Sequence, residues 1–358
     1  MKISKQNILY IARAPIHGGT EKVVLQLCEI FQPLANKVIV CAGKGFNQEP
    51  LKKMGIKFYE IPDLENKNPV NMLKISAKLM KIVKNEKITV IHTHHRMAAF
   101  YVTLLKLYKN CFFINTSHNT FYNKVKLTRF AYKHAHLIAC GEMVKKNLVN
   151  EFGLEKVTVI HNAVQQFNGP IVVEPILKDL HDKGYFLIGN VGRLTEQKGF
   201  KYFIESMPMI LKELPKVKFV IIGSGELESS LKKEAQELKA SDSIVWLGYR
   251  KDVQNLMSQM DLIVLSSLWE GLPLTPLEAF SVGKPVIATA VDGTNEEIQD
   301  NVNGFLVTPK NAEALSNKII DFIKYGKSNL GKNAKNIFMK EYSFNTFNNR
   351  IKRYYERL

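Results

Sequence analysis

The sequence predicts an α/β protein built as two doubly wound halves, and three observations carry that expectation. Short β-branched apolar runs alternate with segments of helical period along the whole chain. Two such series occur, separated by a segment that contains Asn168-Gly169-Pro170 and Pro175. At 358 residues the chain is long enough for about two hydrophobic cores.

The first series comprises Ile8–Ile11, Lys37–Cys41, Val90–His92, Phe112–Asn115, Leu137–Cys140 and Val157–Ile160. Each run is short and apolar on both faces, the pattern of parallel strands covered by helices. Glu21–Phe31 and Met72–Asn85 have helical period and connect them. Val164 to Lys183 reads as the linker. The second series comprises Phe186–Val191, Lys218–Ile222, Ser243–Leu247, Leu262–Leu265, Pro285–Ala288 and Gly304–Val307. A closing helix, about Asn345 to Leu358, is aromatic and basic with no strand after it, so it is expected to pack back on the first half. The expected division is 1–166, 167–338 and a returning tail 339–358. Ligands of such Rossmann-like sheets bind at the carboxyl ends of the strands. The chemistry is therefore expected in loops that follow strands, across a cleft between two carboxyl edges.

Composition narrows the function classes. With 46% hydrophobic and 23% charged residues the chain is not disordered. No apolar run approaches the ~18 residues that span a bilayer, and Met1–Gln6 leads into a strand rather than a cleaved leader. Cys28, Cys41, Cys111 and Cys140 are widely spaced among apolar residues, which reads as buried thiols in a cytoplasmic compartment. The net charge is +17, and it is uneven. Residues 1–168 hold 25 Lys and Arg against 10 Asp and Glu, giving +15; residues 169–358 hold 25 against 23, giving +2. An excess confined to one half points to an anionic partner: nucleic acid, phosphate or acidic lipid.

Two loops of the second half carry the strongest local signals. Ser267-Leu268-Trp269-Glu270-Gly271-Leu272-Pro273-Leu274-Thr275-Pro276-Leu277-Glu278-Ala279 follows a strand and opens a helix near Thr275. A helix N-terminus accepts an anion, and flanking carboxylates accept hydrogen bonds from sugar hydroxyls. By spacing alone the same loop reads equally well as an ordinary βα turn with a capping Glu. Gly192-Arg193-Leu194-Thr195-Glu196-Gln197-Lys198-Gly199 places two cations on one tight loop, which suits a diphosphate but also describes two solvated charges. Gly18-Gly19-Thr20-Glu21 opens a helix without the full G-x-G-x-x-G spacing, and Gly223-Ser224-Gly225 is weaker still.

Taken together, Gly-Gly after the first strand, G-R-L-x-x-x-K-G opening the second half and E-G-x-P-x-x-x-x-E near its end resemble the retaining glycosyltransferases of family 4. Val245–Tyr249 and Gly283–Ala288 match the same pattern. The resemblance covers essentially the whole chain and is strongest from Gly189 to Leu306. It implies the GT-B architecture, two Rossmann-like domains, with a nucleotide-sugar donor held by the second. Arg193 and Lys198 match the pair that grips the donor diphosphate. Glu278 matches the carboxylate on the ribose, and Glu270 the one beside the donor sugar. Leu272, Pro273, Leu274 and Thr275 match the turn that offers backbone amides to sugar or phosphate. Gly18 and Gly19 match the glycines that let the chain approach the diphosphate, and Tyr249-Arg250 the stretch that reads the base, largely through backbone groups. His118 matches a histidine that meets donor sugar and acceptor. Glu270 and His118 are thus the expected catalytic residues.

The resemblance further implies a UDP-sugar donor and a hexose or N-acetylhexosamine transferred with retention of configuration. The acceptor is expected to be a glycan or lipid-linked one in bacterial surface or capsule polysaccharide assembly. No D-x-D occurs, so no metal and no other cofactor is expected. His92, His94 and His95 form a His-rich strand end that resembles a V-H-x-H stretch of the family, and a metal site there would need a third suitable ligand and an O- or N-rich shell. Two basic clusters remain. Lys74, Lys78, Lys81 and Lys84 recur at helical spacing, opposite an apolar stripe of Leu73, Leu79, Ile82 and Val83, and read as a solvated helix face over the core. Lys124, Lys126, Arg129 and Lys133 interleave with Phe121, Tyr122, Leu127 and Phe130 and read as the membrane-facing acceptor surface of a peripheral protein at the inner face of the cell membrane. A GT-B-like sugar-nucleotide epimerase and a basic nucleic-acid-binding protein are the competing readings. The chain shows no nucleic-acid-binding signature.

Overall fold

The computed structural model describes residues 1–13, 19–326 and 329–358. It divides into two compact units: Met1–Asn162 with Phe347–Leu358, and Ala163–Thr346. The division expected from the sequence lies at 166/167 and 338/339, and these units divide at 162/163 and 346/347.

The first unit is built on a seven-stranded parallel sheet. Its strands are β1 (Asn7–Ala12), β2 (Lys37–Ala42), β3 (Lys57–Glu60), β4 (Val90–Thr93), β5 (Phe112–Ser117), β6 (His136–Ala139) and β7 (Val157–Val159). The order is β3-β2-β1-β4-β5-β6-β7. β1 is buried along its whole length, as a central strand with helices on both faces must be. β3 reads Lys-Phe-Tyr-Glu, exposed at both ends and half-buried between, so its apolar signal is too weak to read from sequence. The chain then crosses back through helix Pro69–Asn85 to place β4 beside β1. That makes the carboxyl ends of β1 and β4 the switch point where α/β sheets bind ligands.

At the opposite edge Glu86 is buried and collects Lys37, Lys57 and Tyr59. Their hydrogen bonds hold its carboxyl down at about 2. The closing helix Phe344–Arg357 buries Phe347, Ile351 and Tyr355. The Tyr355 ring lies tilted against that of Phe31, centroids 4.3 Å apart, and its hydroxyl lies 2.7 Å from Nδ1 of His92.

The second unit carries a six-stranded parallel sheet of β8 (Phe186–Val191), β9 (Val217–Ile222), β10 (Ile244–Gly248), β11 (Leu262–Leu265), β12 (Val286–Thr289) and β13 (Gly304–Val307). The order is β10-β9-β8-β11-β12-β13. Phe200, Phe203, Ile204, Met207 and Ile210 of helix Phe200–Glu213 pack on Ile188, Phe219 and Ile221, the centre of its core.

Two expectations need correction. Val164 to Lys183 is not simply a linker: Pro175, read as a breaker, starts the helix Pro175–Asp182. Proline is favoured at the first helical position, where no backbone N–H is needed. Asn255 and Gln259 accept hydrogen bonds from the N–H groups of Val172 and Glu174, which ties the segment to the second unit. On helix Pro69–Asn85 the buried side is Ile75, Leu79 and Ile82; Leu73 is 70% exposed and belongs to the opposite side. Among the described residues no helix is long and apolar enough to cross a membrane.

Candidate active site

The loop after β8 supplies the basic residues. The Leu194 N–H donates to Ser224 O and the Leu227 N–H to Leu194 O, which fixes this loop against the one after β9. Gly223 must be glycine there, because a Cβ would stand 1.8 Å from the carbonyl oxygen of Gly192. The Gly223-Ser224-Gly225 motif therefore serves loop packing. Lys198 is nearly buried and donates to Oε1 of Glu270 at 2.5 Å. Ser267 Oγ donates to the same oxygen at 2.7 Å. Arg193 remains exposed with a long contact of 3.5 Å to Gln197, and it does not join the Lys198–Glu270 pair.

The loop after β11 is held from several sides. The Leu268 N–H donates to Gln197 O, Gln197 Nε2 donates to Trp269 O, and the Glu270 N–H donates to Oδ2 of Asp292. Gly293 comes so close that a Cβ would lie 1.9 Å from Gly271 O. Leu272, Pro273 and Thr275 are buried and Leu274 half-buried, and Pro273 caps helix Leu274–Ser281 without any side-chain cap. Its N-cap therefore offers no side-chain hydrogen bond to the first turn, and a helix N-terminus of this kind suits an anion. Glu278 lies buried one turn into that helix. Tyr249, half exposed, and Arg250 follow β10. The Arg250 guanidinium is fully engaged: it forms a fork to Asp252 and reaches Glu174 at 2.7 Å. These acids raise its pKa further and occupy the side chain, so it is not free for a base.

In the first unit Gly19 is the first residue of helix Gly19–Phe31, while Gly18 lies outside the described residues. The strand-end histidines separate into distinct roles. His92 is buried and bonded on both nitrogens, to Tyr355 and to Thr116 Oγ1 at 2.7 Å. His95 caps helix Arg96–Leu104 by accepting from the Met97 N–H. His94 Nδ1 lies 3.0 Å from Nε2 of His118, and their rings stack. Nε2 of His94 is buried without a partner among the described residues. A buried N–H without an acceptor is costly, so the favoured arrangement puts the His94 proton on Nδ1, donated to His118. The His118 proton then sits on Nδ1, as a hydrogen-bond donor. Burial pulls His118 down to about 4 and His92 to about 3, so both are neutral near pH 7. Among the described residues no group of three or more His, Cys, Asp or Glu is arranged to hold a metal ion.

Lys124, Lys126, Arg129 and Lys133 are all exposed, on and beside helix Val125–Tyr132. Arg129 is engaged, donating to Phe152 O at 2.9 Å, and Lys133 lies over the Phe130 ring.

Comparison with known proteins identifies the family. The family profile "Glycosyl transferases group 1" matches residues 176–337, and that of "Glycosyltransferase Family 4" matches residues 17–165. The chain belongs to the family 4 glycosyltransferases.

This glycosyltransferase is 28% identical over 341 residues to an Escherichia coli UDP-Gal:α-D-GlcNAc-diphosphoundecaprenol α-1,3-galactosyltransferase, covering 88% of each chain. It is 29% identical to a Campylobacter jejuni N,N'-diacetylbacillosaminyl-diphospho-undecaprenol α-1,3-N-acetylgalactosaminyltransferase, covering 84% of this chain and 85% of that one. In fold it matches the Anabaena protein HepE, solved with UDP and glucose, at a TM-score of 0.85 and 21% identity over 99% of this chain and 100% of that one. The GT-B architecture expected from the motifs is therefore the architecture of this enzyme.

Three residues of the glycosyltransferase escaped the sequence reading. Ser267 and Asp292 hold the side chain and backbone of Glu270. Burial, with the Glu270 charge beside it, raises the Asp292 carboxyl. Glu297 is fully buried, and neither of its oxygens has a partner among the described residues. Burial first, and the Glu270 charge second, push its pKa well above the usual carboxylate value, which favours the neutral acid. The only sequence signal was a cluster of acids, Asp292, Glu296 and Glu297, after the strand Val286–Thr289.

Proposed function

We propose that this glycosyltransferase moves a hexose or N-acetylhexosamine from a UDP-sugar onto a lipid-diphosphate-linked acceptor, with retention of configuration and without a metal. The reaction belongs to surface polysaccharide assembly at the inner face of the cell membrane. The observation that carries the reading is the arrangement around Lys198. A nearly buried ammonium, an exposed Arg193 on the same loop and an uncapped helix N-terminus provide fixed positive charge for a departing diphosphate. The two relatives named above are described as acting with UDP-Gal or on diphosphoundecaprenol-linked acceptors, which supports the same donor and acceptor classes.

In this mechanism Glu278 binds the ribose hydroxyls and Glu270 lies by the sugar, where its charge supports positive charge at the anomeric carbon. The amides of Leu272 to Thr275 meet sugar or phosphate. His118 gives its Nδ1–H to a sugar hydroxyl, neutral at working pH. The acceptor hydroxyl attacks on the face the diphosphate leaves, and a donor phosphate oxygen takes its proton. The basic residues Lys124, Lys126, Arg129 and Lys133 lie on the acceptor-binding, membrane-facing unit.

The test is incubation with labelled UDP-sugars, with and without a membrane lipid extract. Label entering the lipid fraction only when extract is present is the expected result. Formation of a free epimer without acceptor would refute transfer.

A further inference from the structure

Helix Pro69–Asn85 presents two apolar surfaces. Ile75, Leu79 and Ile82 are buried against the first unit. On the opposite side Val70, Leu73, Ala77 and Met80 follow one another at spacings of three and four, and all are exposed. Leu73 is 70% exposed and Val70 59%. At the helical rise this stripe is about 15 Å long. Lys74, Lys78 and Lys81 border it along one side and Lys84 continues its line, all exposed. The helix contains no Asp or Glu, and none of the four lysines meets a carboxylate among the described residues. Exposed helices of the second unit differ: Lys178, Lys183 and Lys232 each pair with an acid four residues away on their own helix.

A face that only has to stay solvated gains nothing from large aliphatic groups at its outermost position. Such a patch bordered by cations marks an interaction surface. Nucleic acid would use the lysines through its phosphates but has no use for the aliphatic stripe. An anionic bilayer uses both, the aliphatic groups entering the acyl boundary and the ammonium groups staying among the headgroups. We propose that helix Pro69–Asn85 docks the protein on an anionic lipid surface through Val70, Leu73 and Met80, with Lys74, Lys78, Lys81 and Lys84 on the headgroup phosphates. This deepens the proposed function and rests on it for the membrane setting alone. It assigns the contact to a different helix from the one that carries Arg129.

The experiment is flotation of the full chain with vesicles of one part phosphatidylglycerol to two parts phosphatidylcholine, and with phosphatidylcholine alone. The wild type should float with the anionic vesicles, less so as salt rises. The double variant Leu73→Glu, Met80→Glu should lose tenfold or more in partitioning. Its unfolding temperature and its transfer to a short-chain, water-soluble acceptor should stay unchanged. Replacing the four lysines by Gln should abolish the preference for phosphatidylglycerol. Undiminished flotation of the double variant would overturn the proposal, as would loss of flotation only on Lys124→Gln with Lys126→Gln. RNA binding that exceeds vesicle binding and ignores Leu73→Glu would overturn it too. Transfer to a lipid-linked acceptor in detergent is independent of docking. If that transfer fails while flotation behaves as expected, the acceptor class falls and the docking helix stands.

Discussion

Lys198 Nζ lies 2.5 Å from Oε1 of Glu270, and both side chains are nearly withdrawn from solvent. The pair joins the loop after β8 to the loop after β11, and Ser267 completes it from below. Each partner compensates the other's burial, so neither can be removed without leaving a charge in a poorly solvated place. In the proposed mechanism a donor diphosphate would bring a second anion to the same ammonium, so Lys198 is the residue at which that mechanism is tested.

Removing the ammonium should therefore cost transition-state stabilisation. Lys198→Ala is expected to lower kcat/KM a hundredfold or more, about 3 kcal/mol of barrier. Steady-state kinetics with a UDP-sugar measures it, and a change below tenfold would place the diphosphate elsewhere.

Glu297 titrates in a direction that can be checked. Its folded pKa is raised above the unfolded one, so its contribution to stability is full below about pH 4.3 and is lost as pH rises toward the folded value. Glu297→Gln keeps the shape of the neutral acid and removes the titration. The variant should match the wild type at pH 4 and be more stable at pH 7. A variant less stable at pH 7 would mean that Glu297 is ionised in the fold.

Arg250 should behave as a structural residue. With its guanidinium held by Asp252 and Glu174, Arg250→Met is expected to lower the unfolding temperature of the second unit by a modest amount, since half-exposed pairs contribute about 1 kcal/mol or less. The Kd for UDP should change less than threefold. A tenfold weaker Kd would show that the side chain reads the base.

The first unit should be sensitive to acid. His92 and His118 have folded pKa values lowered to about 3 and about 4 by burial, against about 6.5 unfolded. Their stabilising contribution is complete above the unfolded value and is lost as pH falls from there through the folded values. Each adds up to about 1.4 kcal/mol per pH unit to the decline across that window. His92→Gln should flatten the decline, and an unchanged slope in urea melts between pH 6.5 and 4 would contradict the assignment.

Much of this was legible in the chain because buried parallel strands write their signature locally. The runs at Ile8–Ile11 and Leu262–Leu265 are apolar on both faces, and the loops after them sit where the topology puts ligands. Lys198 and Glu270 were legible as motif residues, but their pairing across 72 positions has no local signal. Glu297 was hidden for a related reason. A carboxylate in sequence reads as solvated, and only the packing, with Gly293 close against Gly271, shows that Thr294 and Glu297 of its short helix are buried. The misreading of Leu73 has a different cause. Helical period finds apolar positions but cannot say which apolar face meets the core, and this helix has two. The uneven charge, +15 against +2, is legible in composition; that four of its lysines share one helix without a single acid is what gives part of it a place.

The central claim is that the second unit holds the nucleotide donor through Lys198 and Glu278, and calorimetric titration of UDP into the wild type, Lys198→Ala and Glu278→Ala tests it most directly. Saturable one-to-one binding to the wild type, weakened tenfold or more in each variant while both remain folded, is the predicted result. Equal affinity in all three proteins, or no binding to the wild type, would contradict it.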